Sequence, residues 1–168
     1  DAGIMISASH NPAHDNGIKI FAANGYKLPD EVELELEALI DNFPNLNNEL
    51  VAGDKTGKYR FSENDYFLYR DYLLSTVKGD LSGMKIILDV GNGAAYRIAK
   101  GVFAKLGAEI VVINDVPSGT NINVNCGSTH PEILAKVVIG YNADFGLAYD
   151  GDADRLIAVD GNGNIVDG

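Results

Sequence analysis

The chain has 168 residues, of which 46% are hydrophobic, and a formal net charge of −11 at pH 7. This length and composition fit one globular domain or slightly more, and they exclude a disordered polar tail. The negative charge argues against binding to nucleic acid or to an anionic membrane, because both attract basic residues. No segment approaches the roughly 18 apolar residues that span a bilayer. The single cysteine, Cys126, excludes an internal disulfide and is expected to be a small packing residue.

The segment Ser-Ala-Ser-His-Asn-Pro at residues 7–12 lies between two predicted strands. Residues 4–7 and 18–21 are short apolar runs that are typical of strands. Ser and Asn-Pro favour a turn between them. The segment places two hydroxyls beside an imidazole, although a polar turn without any chemistry stays open as its explanation.

Two helices follow these strands. Asp30 with Glu33 forms a predicted capping pair for the first helix, and Ser62 caps a second helix that ends near Gly79. A polar loop at residues 44–58 joins them. The apolar faces of the two helices contain Val32, Leu36, Leu39, Ile40 and Phe43, and then Tyr66, Tyr69, Leu73 and Val77.

From residue 85 onward the pattern is strand–helix–strand–helix–strand, followed by a hairpin. Strands are predicted at residues 85–90, 109–113 and 145–149, and the hairpin at residues 156–159 and 165–166. Gly107 ends the first helix, and Thr129 with Glu132 forms a capping box around Pro131 in the second. This alternation predicts an α/β fold in which a mixed, mainly parallel sheet carries helices on both faces. Asp150 follows the third strand, at the carboxyl end of the sheet where ligands gather.

The segment Asp-Gly-Asp-Ala-Asp-Arg at residues 150–155 places three carboxylates at alternate positions. Carboxylates this close repel one another unless a cation lies among them. An EF-hand loop needs glycine at its sixth position and glutamate at its twelfth, where this chain has Arg155 and Gly161. Mg²⁺ prefers oxygen ligands and often keeps a place for a phosphate oxygen, so a phosphorylated serine facing this segment would suit phosphoryl transfer. A solvated acidic turn stays open as the alternative.

A glycine-rich turn between residues 91 and 96 suggests a different function. Gly91 and Gly93 follow a buried strand and open a helix, and Asp115 ends the next strand, which approaches a dinucleotide-binding fingerprint. Tyr96 stands where that fingerprint has its third glycine, and its ring is expected to obstruct close packing of the helix on the strand. We therefore interpret this segment as a tight turn.

Three motifs together resemble the α-D-phosphohexomutase family. They are the two segments at 7–12 and 150–155 and the run Asp-Asn-Gly-Ile-Lys at 15–19. The run at 121–132 is similar to the bacterial branch of that family that acts on glucosamine phosphates, and the sequences at 93–96 and 146–149 agree. The resemblance covers essentially the whole chain.

The resemblance implies a phosphohexomutase-type α/β domain at residues 81–164, preceded by part of a similar domain at 1–62. It also implies a connecting helix at 63–80 and the start of a link to a third domain at 165–168. By this resemblance the chain is a piece of a four-domain enzyme whose start and whose third and fourth domains are absent. We therefore expect the piece by itself to be inactive.

The resemblance implies a phosphotransferase that interconverts glucosamine 6-phosphate and glucosamine 1-phosphate through a sugar 1,6-bisphosphate. Ser9 matches the phosphoserine of the family. Asp150, Asp152 and Asp154 would bind one Mg²⁺ together with a phosphate oxygen on Ser9. A phosphosugar substrate is the expected partner, a homodimer of the full-length enzyme is left open, and the expected location is cytoplasmic.

Further roles also come from the resemblance. Lys19 matches the general acid/base, and Arg155 can bind phosphate oxygens through its forked guanidinium. His10 and Asn11 are expected to hold the turn and contact the substrate, and Ser7 is an accessory to Ser9. His14 and His130 are interpreted as a surface residue and a neighbour of a helix cap.

Two rival functions stay open at this point. One is a phosphomannomutase or phosphoglucomutase of the same family, because the sugar is chosen mainly in the absent domains. The other is a nucleotide-binding module without catalysis, which the glycine-rich turn at 91–96 would serve.

Overall fold

A computed structural model of the protein describes residues 2–43, 51 and 53–168. The chain divides into two compact units. The described residues within Asp1–Met5 and Ile18–Ser62 form unit 1, and Ile6–Gly17 with Glu63–Gly168 forms unit 2. Across the described ranges, no helix combines the length and apolar character needed to cross a membrane.

A two-stranded sheet pairs β1 (Gly3–Ser7) with β2 (Gly17–Phe21), which confirms both predicted strands. The helix α1 (Asp30–Asp41) follows in unit 1, as predicted. Its predicted capping pair is wrong, because the helix begins at Asp30 itself and Pro29 occupies the flanking position without a side-chain cap. Of the predicted loop at 44–58, residues 44–50 and 52 lie outside the described residues.

The central sheet of unit 2 has five strands in the order β4-β3-β5-β6-β7. Their bounds are β3 Lys85–Asp89, β4 Glu109–Ile113, β5 Phe145–Tyr149, β6 Leu156–Asp160 and β7 Ile165–Val166. β3 pairs in parallel with both β4 and β5, and Ile87 lies opposite Val111 on one side and Gly146 on the other. β6 and β7 continue the sheet as the predicted antiparallel hairpin. The mixed sheet is therefore confirmed.

Both faces of this sheet carry helices, also as predicted. The helices of unit 2 are α2 (Asn64–Thr76), α3 (Ala95–Lys105) and α4 (Pro131–Tyr141). Alternation along β3 sends Ile86 and Leu88 into a buried cluster that includes Ala95 and Ala99 of α3. Ile87 points to the opposite face, where a second cluster includes Leu134 and Val138 of α4. The carboxyl ends of β3 and β5 consequently meet at one edge between these two layers.

The ends of the helices in unit 2 follow the prediction only in part. Gly107 adopts a left-handed backbone (φ 89°) just after α3, and Pro131 is the first residue of α4. Ser62 does not cap α2, whose flanking residue is Glu63. Thr129 does not cap α4 either, because His130 holds that position and the Thr129 hydroxyl donates to the Cys126 carbonyl oxygen at 3.4 Å.

Cys126 is fully buried, as expected of a packing residue. Burial raises the pKa of its thiol from 9.0 to about 11, and the neighbouring Asp89 carboxylate acts in the same direction. Between about pH 9 and pH 11 the unfolded thiol ionises while the folded thiol stays protonated, so the free energy of unfolding should fall over this range. Denaturant unfolding across it should show a steeper fall in the parent protein than in Cys126→Ala. Equal slopes would contradict this prediction.

Candidate active site

The segment after β5 turns back on itself around Asp150, whose side chain is fully buried. Asp150 Oδ1 accepts a hydrogen bond from the Arg155 backbone N–H at 3.1 Å. Its Oδ2 accepts one from Arg155 Nε, also at 3.1 Å. A buried carboxylate is tolerated when it is paired and hydrogen-bonded, and Arg155 supplies both interactions from five residues along the chain.

Asp150, Asp152 and Asp154 each offer a carboxylate oxygen, and these three oxygens lie within 4.8 Å of one another. Ala153, between the last two, has a left-handed backbone (φ 62°), which a non-glycine residue keeps only when its surroundings hold it. The donors are all hard oxygens, as Mg²⁺ prefers, and a divalent cation would offset the repulsion among them. The chemistry of this donor set therefore fits a divalent metal ion.

Ser9 is brought to this carboxylate cluster from a distance of 143 residues along the chain. Its hydroxyl donates to Asp152 Oδ1 at 3.3 Å. Its own N–H donates to Ser7 Oγ at 2.9 Å. Ser9 has a left-handed backbone (φ 53°), so the serine lies in a strained turn beside the three carboxylates.

The side chain of Asn123 contacts the same turn, and the sequence analysis missed it. Asn123 Nδ2 donates to the carbonyl oxygens of Ser9 and Asn11 at 2.8 and 3.0 Å. The only signal was its place inside the run at 121–132, because these contacts span more than a hundred residues. Asn11 is thereby held through its main chain, and its own N–H donates to the Ala8 carbonyl oxygen at 2.9 Å.

Asp89, at the end of β3, is a second residue that the sequence analysis missed. Its fully buried carboxylate accepts hydrogen bonds from Gly91 N at 3.0 Å, Gly127 N at 2.9 Å and Asn114 Nδ2 at 3.0 Å. These bonds tie the turn after β3, the end of β4 and the loop before α4 to one buried group. Asp89 thus holds the turn at Gly91, whose carbonyl oxygen in turn accepts a hydrogen bond from the Asn123 backbone N–H.

The space beside the glycine-rich turn at 91–96 is filled by the acidic segment of the same chain. Ala94 N donates to the Gly151 carbonyl oxygen at 2.8 Å, so that carbonyl takes the position at the start of α3 where a dinucleotide would place its pyrophosphate. A Cβ at Gly93 would lie 2.7 Å from Gly151 Cα. Tyr96 is exposed instead of obstructing the packing, and the fully buried Ala95 makes that contact. The glycines accommodate the acidic segment, which argues against the nucleotide-binding alternative.

Gly93→Ala should therefore displace the backbone at Gly151 and with it the three carboxylates. We expect the free energy of unfolding to fall by about 1–3 kcal/mol, and the stabilisation by added Mg²⁺ to shrink. Gly140→Ala is the matched control, because a Cβ there meets nothing within 4 Å and alanine favours a helix interior. Denaturant unfolding with and without Mg²⁺ measures both effects. A Gly93→Ala protein as stable as the control would contradict the close packing.

The remaining residues that the sequence analysis named are exposed or partly exposed. His10 is exposed in the turn that carries Ser9, and half of the Arg155 side chain faces solvent. Lys19 is exposed on β2, in unit 1. His14 is exposed, and His130 Nδ1 lies 3.2 Å from Glu132 Oε1 beside the start of α4. Unit 2 thus brings together Ser7, Ser9, Asn11, Asp150, Asp152, Asp154 and Arg155.

Comparison with known proteins gives consistent matches. Residues 1–46 match the description "Phosphoglucomutase/phosphomannomutase, alpha/beta/alpha domain I" and residues 68–163 match domain II of the same description. Phosphoglucosamine mutases from Fusobacterium nucleatum and Clostridioides difficile are 64% and 52% identical over 99% and 100% of this chain. The chain spans 37% of the length of each.

A solved structure shows the same fold. The crystal structure of a phosphoglucomutase/phosphomannomutase family protein from Burkholderia thailandensis matches with a TM-score of 0.74 and 27% identity. The match covers 99% of this chain and 35% of that one. Together with the two domain matches, this similarity shows that the chain belongs to the phosphoglucomutase/phosphomannomutase family.

Proposed function

We propose that this chain supplies the phosphoserine turn and the metal-binding segment of a phosphoglucosamine mutase. The observation that carries the proposal is the meeting of the Ser9 hydroxyl with Asp152, 3.3 Å apart, inside a cluster of three carboxylates. The three carboxylates repel one another unless a cation lies among them, and a cation there would also neutralise a phosphoryl group carried on Ser9. The identity of the relatives indicates the sugar.

In the proposed reaction Ser9 carries a phosphoryl group and transfers it to the free hydroxyl of a sugar monophosphate. The resulting sugar 1,6-bisphosphate reorients, and Ser9 then takes back the other phosphoryl group. Asp150, Asp152 and Asp154 would hold Mg²⁺, which neutralises negative charge on the transferred group when bound. Positioning and charge neutralisation are the main requirements of such a transfer.

Other side chains complete this proposal. The Arg155 side chain is half exposed and its Nε already donates to Asp150, so its remaining N–H groups can bind phosphate oxygens. Local cations matter because the substrate is an anion and the chain carries a net charge of −11. Lys19 as general acid/base and His10 as a substrate contact rest on the resemblance, as does a homodimer of the full-length enzyme.

The test is a comparison of substrates with the natural full-length protein. We expect interconversion of glucosamine 6-phosphate and glucosamine 1-phosphate that needs Mg²⁺ and a catalytic amount of sugar 1,6-bisphosphate. The ratio kcat/KM should be higher for glucosamine phosphates than for mannose or glucose phosphates. A preference for either hexose phosphate would assign the protein to another activity of the same family, and no turnover of any of them would refute the proposal.

A further inference from the structure

The turn that carries Ser9 is held from outside by one buried side chain. Asn123 is 8% exposed, and its Nδ2 donates to two carbonyl oxygens of the turn, those of Ser9 and Asn11. We propose that Asn123 is a positioning residue, which holds the backbone of this turn in the conformation from which Ser9 transfers its phosphoryl group. The inference rests on the proposed function and adds a residue to it.

The turn needs such support because its own conformation is unfavourable. The left-handed backbone of Ser9 (φ 53°) persists in a non-glycine residue only where the surroundings hold it. The bonds from Ser9 N to Ser7 Oγ and from Asn11 N to the Ala8 carbonyl oxygen stay inside the turn. They shape it without fixing its place relative to the carboxylates. Besides the bond from the Ser9 hydroxyl to Asp152, the two Asn123 bonds connect the backbone of the turn to the rest of unit 2.

Asn123 is itself well anchored. Its backbone N–H donates to the Gly91 carbonyl oxygen at 2.9 Å, directly after β3. A Cβ at Gly151 would lie 2.9 Å from Asn123 Nδ2, so the segment between Asp150 and Asp152 packs against the same amide group. The amide therefore lies against both the turn with the nucleophile and the segment with the carboxylates, at the place where Gly151 packs closely against the Ser9 carbonyl oxygen.

The two ends of the Asn123 carboxamide differ in a way that supports this role. Its NH₂ group makes two hydrogen bonds, whereas its Oδ1 is buried with no hydrogen-bond partner among the described residues. A buried acceptor without a partner costs stability. The cost of the unpaired oxygen is explained if the donor end is needed, since the NH₂ group can donate to two carbonyl oxygens at once.

A matched pair of glycine variants of the natural full-length protein tests the proposal. Asn123 and Asn125 both have left-handed backbones (φ 59° and 53°), which glycine adopts freely. Each variant thus removes one side chain without backbone strain, and Asn125 is exposed. We expect Asn123→Gly to lower kcat about 100-fold, as a misplaced reacting group does. KM should stay within about twofold of the parent value, and Asn125→Gly should behave like the parent.

Hydrogen exchange of the backbone amides at residues 8–11 gives a readout apart from activity. Exchange should become faster in Asn123→Gly and stay unchanged in Asn125→Gly. Asn123→Asp provides a second test if the glycine variant fails to fold, because it keeps the shape but replaces the NH₂ group with an acceptor. It should show the same loss of kcat and the same faster exchange.

Three results would overturn the inference: an unchanged kcat, a loss that appears mainly in KM, or equal losses in Asn123→Gly and Asn125→Gly. An inactive parent protein would refute the proposed function instead. In that case the exchange rates of the turn would still decide whether Asn123 holds it.

Discussion

Replacing Asp152 by asparagine should abolish mutase activity and metal binding in the full-length protein while leaving the fold intact. The side chain keeps its shape and an oxygen that can accept from the Ser9 hydroxyl, so the contact at 3.3 Å can persist. What changes is the charge, because one of the three carboxylates whose oxygens lie within 4.8 Å of one another becomes neutral. Without metal the variant should be at least as stable as the parent, since repulsion in the cluster is lower.

Thermal unfolding with and without Mg²⁺ distinguishes the loss of metal binding from any change in the stability of the fold. A ligand that binds only the folded state raises the free energy of unfolding by about 2.7 kcal/mol at a concentration 100 times its Kd. Added Mg²⁺ should therefore raise the Tm of the parent and leave that of Asp152→Asn nearly unchanged. Asp167→Asn removes the same charge at an exposed position and should respond like the parent. Near-normal turnover of Asp152→Asn in Mg²⁺ would remove this segment from the mechanism.

Ser9→Ala should reduce activity at least about 1,000-fold, as loss of a nucleophile does. Alanine also keeps the strain of the left-handed backbone (φ 53°), so Ser9→Gly is a useful second variant that removes the hydroxyl and relieves that strain. Both variants should be inactive, which would assign the loss to the hydroxyl. Ser7→Ala is the control, because it removes only the oxygen that accepts from Ser9 N at 2.9 Å, and we expect a smaller loss.

The phosphorylation state of the protein provides a direct measurement of the same role. Intact mass and peptide mapping of the natural protein, loaded with sugar bisphosphate, should find phosphate on Ser9. Ser7→Ala should still accept it. Phosphate on Ser7 alone, or on neither serine after loading, would contradict the assignment of Ser9 as the phosphoserine.

Periodicity in the amino-acid sequence determined the elements of unit 2. The predicted bounds of β4 and β5 equal those observed, because a short, mostly apolar run with glycine or polar residues on either side is typical of a buried strand. The hairpin of β6 and β7 follows from two such runs around a glycine-containing turn. The side-chain caps of the helices were harder to predict from the sequence. Asp30, Ser62 and Thr129 all have capping chemistry, yet each helix starts a residue or more away from the position that would use it.

The chemical character of the acidic segment was also readable from sequence, since alternate aspartates must lie close together in any short turn. Which other residues contact these aspartates was decided by the tertiary structure. Ser9 reaches Asp152 across 143 residues and Asn123 reaches the Ser9 carbonyl across 114, and no local pattern encodes such distances. The left-handed backbone of Ser9 was equally hidden, because a serine shows no preference for it. Local spacing governs which groups lie within a turn of one another, whereas the packing of β3, β5 and their loops governs which turns meet.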